Sequence, residues 1–363
     1  MEVDLKNIQW GEFEIGEEFV VKNSKAYHKT NLKESKKDGI SYVSRTNLNN
    51  GIESIVKKEG FKINQKNTIV FGAENATFFY QPNEYITGNK MYLIEKDKLN
   101  KFSGLFIQMM LNKSIVNCGF GYGKGLIGSR VKKRFILLPK NSKGKPDYAF
   151  MEQFMRQKEQ EKIEKFQNYI AKRIEQVKDF KEVEPLNQKE WGEFFIEDIA
   201  QIISGRDIYE AERIKGDIPY VSATANNNGI GYFVGNTNET LEENCLSVNR
   251  NGSVGYSFYH QYKTLFSNDC RKLCLRNKSP FVGKFISKII TGQKDKYGYG
   301  YKMGTGRIKR QKILLPINKT GQPDYDYMEN YIKKLEHGKL TNYLNKKQRI
   351  LNQKILIKRY DLI

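Results

Sequence analysis

The chain has 363 residues and a formal net charge of +21, with 62 Lys and Arg against 41 Asp and Glu. It has no stretch ordered like a signal peptide, no run of the roughly 18 apolar residues of a membrane span, and too few cysteines for a disulfide scaffold. We therefore expect a cytoplasmic, two-domain protein without a membrane partner, whose charge attracts polyanions and nucleic acid first. Lys-rich composition is also common in low-GC bacteria, so charge alone does not decide the partner.

The first half of the sequence recurs, in the same order, about 180 residues later. The matched pairs include Trp-Gly-Glu-Phe at 10–13 and 191–194, Asn-Asn-Gly-Ile at 49–52 and 227–230, Phe-x-Gly-x-Phe-Ile at 102–107 and 281–286, Leu-Leu-Pro at 137–139 and 314–316, and Gly-x-Pro-Asp-Tyr-x-x-Met-Glu at 144–152 and 321–329. Collinear matches with nearly constant offsets do not arise by chance. We predict two halves of similar structure.

The first part of each half contains short alternating apolar stretches broken by Asn and Gly turns, a pattern typical of β-strands. Examples are 68–71 in the first half and 246–248 in the second. A short helical pattern follows at 102–111 and at 281–290, with apolar residues three or four positions apart. Each half is therefore predicted to be mainly β with small core helices.

Each half closes with a long amphipathic helix. Asp147 and Asp324 each follow a proline and are suited to accept backbone N–H groups at a helix start. A helix from Asp147 to Phe180 is roughly 50 Å long and has one apolar stripe. The second stripe continues to Ile355, with an interruption expected at Gly338. The two stripes are predicted to bury each other as a coiled spacer. Two independent surface helices are the alternative.

The resulting prediction is an α+β chain of four segments with an internal repeat. They are a mainly-β domain at 1–146, a long helix and linker at 147–185, a second mainly-β domain at 186–323, and a long helix at 324–363.

No pattern of catalytic or metal-binding type recurs in both halves. The glycine-rich segment 119–125 lacks the order of a phosphate loop, and 129–134 after it is expected to lead into a strand, not a helix. The Pro-Asp pairs lack the other residues of a nuclease, the histidines are scattered, and Cys270 and Cys274 lack zinc-site spacing. An amino-methyltransferase motif is also missing. We predict no catalytic residue, metal site or cofactor.

A basic and aromatic segment recurs in both halves and suits contact with phosphate groups. Its predicted DNA-binding members are Tyr122, Lys124, Arg130, Lys132, Lys133 and Arg134 in the first half and Tyr299, Tyr301, Lys302, Arg307, Lys309 and Arg310 in the second. Base edges in the major groove are read by Arg, Lys, Asn and Gln. Loops that differ between the halves supply Arg45, Asn47, Asn75, Asn226, Arg250 and Asn251. A structural role in a turn is the alternative for each loop residue.

The sequence, whose motifs occur twice in the same order, resembles the specificity subunits of type I and related restriction-modification systems. The resemblance rests on the repeated opening tetrapeptide, the turn at 250–255, the repeated closing motifs and the long helices, and covers essentially the whole chain. It implies two target recognition domains, each reading one half of a split double-stranded DNA site. It also implies an antiparallel helix pair that docks DNA adenine methyltransferase subunits. Stripe residues expected at that docking face are Phe154, Phe166, Ile170, Ile332 and Leu335.

In this family S-adenosylmethionine, Mg²⁺ and ATP belong to partner subunits, which methylate adenine or translocate and cut DNA. The resemblance therefore implies a non-catalytic chain that works with a restriction and translocation subunit or with a fused nuclease-methyltransferase polypeptide. Because the predicted reading loops of the two halves differ, we expect an asymmetric bipartite target. A stand-alone regulator with two nucleic-acid-binding modules is the alternative, and an enzyme is a third reading.

Overall fold

The computed structural model describes residues 4–35, 37–121 and 123–360, without the side chains of Asn7 and of 347–360. The chain divides into two compact units, Met1–Gln167 and Asn168–Ile363.

The first unit is mainly β-structure. Its strands are β1 (Trp10–Glu14), β2 (Val20–Asn23), β3 (Ile40–Val43), β4 (Ile52–Val56), β5 (Thr68–Gly72), β6 (Phe78–Gln81), β7 (Tyr85–Thr87), β8 (Met91–Glu95) and β9 (Phe135–Pro139). Its helices are α1 (Ile15–Glu18), α2 (Lys101–Ser114), α3 (Gly128–Lys132) and most of α4 (Tyr148–Val177), whose last turns belong to the second unit.

Three small sheets build this unit. An antiparallel sheet has the order β2-β8-β5-β6, a mixed sheet has the order β4-β3-β7, and β1 pairs with β9. Helix α2 covers the first sheet at Gly104, where a Cβ atom would lie 2.4 Å from the ring of Tyr80. This close approach explains the glycine of the repeated Phe-x-Gly-x-Phe-Ile motif.

The second unit repeats this topology. Its strands are β10 (Trp191–Phe195), β11 (Ala200–Ser204), β12 (Ile218–Val221), β13 (Ile230–Val234), β14 (Cys245–Asn249), β15 (Ser257–His260), β16 (Leu265–Phe266), β17 (Cys270–Leu275) and β18 (Lys312–Pro316). Its helices are α5 (Ile196–Ile199), α6 (Pro280–Thr291), α7 (Thr305–Lys309) and α8 (Tyr325–Tyr360). The sheets have the orders β11-β17-β14-β15, β13-β12-β16 and β10-β18.

The repeated opening and closing motifs pair with each other in the same register in both units. Trp10 lies opposite Pro139, and Trp191 lies opposite Pro316. Trp10 also stacks on Phe106 of α2 with ring centroids 6.4 Å apart. The motifs recur because each half must close the same β-ribbon over the same helix.

The repeated Asn-Asn-Gly motif forms a tight turn in each unit. Its middle asparagine, Asn50 or Asn228, has φ of 55° or 56°, and the glycine after it has φ of 77° in both copies. Glycine and asparagine tolerate this left-handed region better than other residues. The side-chain amides of Asn50 and Asn228 donate to the backbone oxygens of Tyr80 at 2.8 Å and Tyr259 at 3.2 Å, which fixes each turn against the sheet.

Both long helices begin as predicted. Asp147 Oδ1 accepts from the backbone N–H of Phe150 at 2.9 Å, and Asp324 Oδ1 accepts from that of Tyr327 at 3.0 Å. The interruption predicted at Gly338 is wrong, because α8 continues through it. A glycine costs a helix only about 1 kcal/mol relative to alanine. Packing of the preceding turns on the core of the second unit outweighs that cost.

The segment 129–134 does not run directly into a strand as expected, because α3 occupies Gly128–Lys132 before β9 begins. Val131 is fully buried, and Gly128 lies against the ring of Tyr92. Burial of these two positions, which the sequence pattern does not reveal, stabilises the helical turn.

Candidate nucleic-acid interface

Two loops of the first unit bring together its predicted base-reading residues. Arg45 and Asn47 follow β3, and Asn75 lies between β5 and β6. Asn75 Nδ2 donates to Asn47 Oδ1 at 2.9 Å, and Thr77 Oγ1 donates to the same oxygen at 3.0 Å. The guanidinium of Arg45 donates to the carboxylate of Glu74. The loops therefore hold an exposed arginine and an exposed asparagine in fixed positions.

A polar cleft of about 550 Å³ opens beside Arg45. Tyr27, Tyr42 and the Lys29–Glu53 ion pair are in its lining, with Lys29 Nζ 2.6 Å from Glu53 Oε1. The hydrogen bond from Lys29 lowers the pKa of Glu53, which keeps this carboxylate charged at neutral pH. Sequence reasoning did not single out these residues, because the Lys29–Glu53 ion pair joins positions that are distant in the sequence.

The second unit also brings its predicted base-reading residues together, on the equivalent loops. Asn226 follows β12, and Arg250 and Asn251 follow β14. Asn249 Nδ2 donates to the backbone oxygen of Thr224 at 3.0 Å, which joins the two loops. All three predicted residues lie at the surface or are only partly buried.

Arg271 of β17 extends this cluster and was not predicted. It is 7% exposed, and its Nε donates to Thr305 Oγ1 at 2.7 Å. Arg271 Nη1 donates at 2.8 Å to the backbone oxygen of Asn268, which also accepts from Arg250 Nη1 at 3.3 Å. Burial, and then the nearby charge of Arg250, lower the pKa of Arg271. No sequence pattern marks a buried arginine within a strand.

The basic segment of the first unit adjoins the reading loops, since the N–H of Leu126 donates to the backbone oxygen of Ala73 at 2.7 Å. Predicted residues on this segment that lie exposed are Lys124, Arg130, Lys132 and Lys133, and Arg134 is partly buried. Tyr122, which was predicted with them, lies outside the described residues.

The corresponding segment of the second unit combines exposed rings with cations. Tyr299 is 89% exposed, and Lys302 Nζ lies 5.4 Å from its ring centroid. The guanidinium of Arg307 lies over the ring of exposed Tyr301 at 3.9 Å. Exposed cations at the end of α7 are Lys309 and Arg310. Aromatic rings and cations in this arrangement contact nucleic-acid backbones and bases.

The cations of these two segments have no carboxylate partner within 4.0 Å among the residues that the structure describes, whereas many lysines elsewhere do. Each segment thus presents positive charge that the described residues do not neutralise. Polyanions are the partners that such surfaces attract.

Within the second unit, the last turns of α4 and the segment after them run antiparallel to the start of α8. Hydrogen bonds join residue 173 to residue 336, residue 181 to residue 330, and residue 184 to residue 327. Arg173 Nη2 donates to Glu336 Oε2 at 2.9 Å, and the ring of Phe180 lies 5.6 Å from that of His337. For this stretch, the paired helices were predicted correctly.

The residues predicted for partner docking do not all share one exposed face. Phe154 is buried in the core of the first unit, and Ile170 is buried in the second unit. Ile332 packs partly buried against the core of the second unit. Phe166 and Leu335 are exposed.

Among the residues that the structure describes, no group of three or more His, Cys, Asp or Glu side chains is placed to hold a metal ion. Burial raises the pKa of Cys245 and of Cys270 to about 12, so both remain thiols at neutral pH. Burial also lowers the pKa of His260 to about 4. No helix in the described part of the chain is long and apolar enough to cross a membrane.

A family model described as the type I restriction modification DNA specificity domain matches residues 7–168 and 188–346. The chain belongs to this family. Each match covers one β-rich region and helical residues after it, so the internal repeat consists of two DNA specificity domains. The resemblance drawn from the sequence is confirmed, and recognition of DNA sequence is the role that follows from membership.

Two individual comparisons agree with this assignment. The chain is 34% identical over 312 residues to the specificity subunit S.BcgI of a type II restriction enzyme from Heyndrickxia coagulans, covering 85% of this chain and 89% of the relative. The crystal structure of a type I restriction-modification system S subunit from M. genitalium matches 98% of this chain and 96% of its own, with a TM-score of 0.52 and 16% identity. That structural likeness shows the fold, and the predicted α+β architecture with two mainly-β regions and long helices is confirmed.

Proposed function

We propose that this chain is the non-catalytic subunit that gives a DNA adenine methyltransferase complex its sequence specificity. Each specificity domain reads one half of a bipartite, asymmetric site in double-stranded DNA. One observation carries the proposal: in both units, polar reading loops accompany a basic segment whose cations have no carboxylate partner in the described part of the chain. The basic segments supply salt-dependent affinity through phosphates, and the loops discriminate between bases.

The asymmetry of the target follows from the residues at equivalent loop positions. The loop after β5 places Glu74 and Asn75 near Arg45 in the first unit. The loop after β14 places Arg250 and Asn251 beside Asn268 and Asp269 in the second. Different donors and acceptors at matching positions favour different bases. The two half-sites are therefore different sequences.

The long helices supply the docking site for the methyltransferase subunits. On these helices the apolar side chains of Phe166 and Leu335 are each 43% exposed, so part of each remains to be covered by a partner subunit. S-adenosylmethionine, Mg²⁺ and ATP are bound by partner subunits. The cutting activity resides in a separate restriction and translocation subunit or in a fused nuclease-methyltransferase polypeptide.

The test is to map adenine methylation in the host genome with and without this chain. Deletion is expected to abolish methylation at one bipartite motif, and the wild-type gene is expected to restore it. Unchanged methylation, with the purified chain still binding nucleic acid, would favour the stand-alone regulator instead.

A second experiment assigns the half-sites. In a variant chain, residues 1–146 are replaced by a second copy of 186–323. This chain is expected to direct methylation to a site whose two halves are the same sequence. The matched control is the reciprocal chain, in which 186–323 are replaced by a second copy of 1–146. This chain is expected to direct methylation to a site that contains the other half-site twice. A motif unaffected by either replacement would contradict reading by these domains.

A further inference from the structure

Arg271 carries a buried positive charge, and its hydrogen-bond acceptors among the described residues are all neutral. Nε donates to the hydroxyl of Thr305, and Nη1 donates to the backbone oxygens of Asn268 and Cys270 at 2.8 and 2.9 Å. Nη2 has no hydrogen-bond partner among the described residues and is not sealed from solvent. Three fixed bonds therefore orient the guanidinium and leave one end of it free.

No carboxylate in the described part of the chain lies within 4.0 Å of this guanidinium. Asp269, which is close in sequence, accepts instead from Asn251 Nδ2 at 3.1 Å. The nearby side chain of Arg250 donates to the same backbone oxygen as Arg271, so two positive groups meet at one neutral acceptor. Burying a charge in this way is unfavourable unless an anion neutralises it.

We propose that Arg271, together with Arg250, binds one backbone phosphate of DNA in the second specificity domain. The free Nη2 of Arg271 and the partly exposed guanidinium of Arg250 donate to the phosphate oxygens, a pairing that suits the planar guanidinium group. The proposal rests on the proposed function, because DNA is the anion which that function brings to these loops.

The first unit lacks an equivalent site. In the second unit Arg271 of β17 lies opposite Val248 of β14. At the equivalent position of the first unit, Tyr92 of β8 lies opposite Phe71 of β5. The ring of Tyr92 stacks on that of Phe71, with centroids 5.2 Å apart, and fills this position without charge. The phosphate site is therefore a feature of the second domain alone.

The test compares wild type with Arg271→Met and Arg271→Lys in the complex purified from its host through a tag on this chain. Binding to a duplex with the mapped motif and to a motif-free duplex is measured at increasing salt. For Arg271→Met, the steepness of log affinity against log salt is expected to fall by at most about 0.9, the value for one whole phosphate contact, because Arg250 remains at the phosphate. Arg271→Lys is expected to retain the slope, because it retains the charge, and to bind several-fold more weakly.

Arg156→Met is the matched control, because it removes the same charge from an arginine already paired with Glu152 at 2.6 Å. Its slope is expected to equal that of wild type. Thermal unfolding checks the fold of Arg271→Met, which is expected to be no less stable, since an apolar side chain replaces a buried unpaired charge. If Arg271→Met does not fold, Arg271→Lys alone tests the proposal. Several-fold weaker DNA binding by Arg271→Lys then supports the proposal, and DNA binding with wild-type affinity overturns it.

The remaining outcomes separate this inference from the proposed function. An unchanged slope for Arg271→Met overturns the phosphate site and leaves the proposed function intact. A changed preference among single-base variants of the motif also overturns it, because the residue then reads a base. Complete absence of DNA binding by the wild-type complex overturns both.

Discussion

Arg173 and Glu336 form a two-point ion pair between the antiparallel segments of the second unit, with Arg173 Nη2 donating to Glu336 Oε2 at 2.9 Å. Lys284 of α6 donates to the same carboxylate oxygen at 3.0 Å. One carboxylate therefore joins α4, α6 and α8. Bidentate pairs of this kind are stronger than ordinary exposed ion pairs, because two parallel hydrogen bonds fix the geometry.

We expect Glu336→Gln to lower the free energy of unfolding by about 1–2 kcal/mol at pH 7, because the three charge-assisted hydrogen bonds from Arg173 and Lys284 become weaker or are lost. Chemical denaturation of the full chain measures this loss. Glu175→Gln is the control, since Glu175 of α4 forms an exposed pair with Lys178 and its replacement is expected to change stability much less. Equal losses in the two variants would contradict a special role for Glu336.

The same carboxylate predicts an acid-dependent loss of stability. Burial alone would raise the pKa of Glu336, but hydrogen bonds from Arg173 and Lys284 lower it below its usual value. Its stabilisation is therefore fully present above the unfolded pKa of about 4.3 and is lost as the pH falls through the lower folded pKa. Denaturation between pH 3 and 6 should show a smaller acid-dependent loss in Glu336→Gln than in wild type. Parallel curves would refute this.

A second pH effect is expected from His260. This side chain is buried with Nε2 2.9 Å from Ser247 Oγ, and burial lowers its pKa from 6.5 to about 4. His260 binds a proton more readily in the unfolded chain than in the folded one. The free energy of unfolding is therefore highest above about pH 6.5 and decreases by roughly 3 kcal/mol between that pH and 4. His260→Gln should remove this slope, whereas replacing exposed His28 by Gln should leave it unchanged.

Two glycines are expected to respond to alanine with opposite signs. A Cβ atom at Gly338 of α8 meets no other atom within 4 Å, so Gly338→Ala should stabilise the helix by about 0.5–1 kcal/mol. At Gly104 of α2 a Cβ atom would lie 2.4 Å from the ring of Tyr80, so Gly104→Ala should destabilise by about 1–3 kcal/mol. Thermal unfolding of both variants measures the effects, and the same sign for both would contradict the helix packing described above.

Under the proposed function, Glu74 orients Arg45 for base reading. Its carboxylate accepts from Arg45 and from Lys90, the latter at 2.7 Å. Glu74→Gln should reduce discrimination at one base pair of the first half-site by roughly 1–3 kcal/mol, the value of one bidentate base contact. Binding to duplexes with single-base substitutions tests this. Lys58→Met, which breaks an exposed pair with Glu84, should leave discrimination unchanged.

The repeated motifs made the duplication, the mainly-β regions, the core helices and the long helices predictable. Trp10 and Trp191 recur because each pairs in the same register and stacks on a ring of a core helix, Phe106 or Phe285. A residue that occupies the same packed position in both copies leaves a signal in the sequence.

The features that the sequence did not reveal depend on contacts between distant residues or on one copy alone. Glu74 pairs with Arg45, which is 29 positions away, and Glu74 has no counterpart in the second copy of the repeat. Arg271 interrupts an otherwise strand-like stretch, and its equivalent in the first unit is a tyrosine. The local helix propensity at Gly338 was misleading, because tertiary packing determines whether a single glycine ends a helix.

The pairing of β1 with β9, and of β10 with β18, means that the chain enters and leaves each β-rich region on adjacent strands about 5 Å apart. The residues between Trp191 and Pro316 therefore form one continuous segment that begins and ends on the β10–β18 pair. A change in the length or sequence of this segment leaves the β10–β18 pair and α8 in place if it keeps α6, since Lys284 of α6 donates to Glu336 of α8. Under the proposed function, we expect that a new specificity can be acquired by exchanging one continuous stretch of gene that retains these contacts with α8.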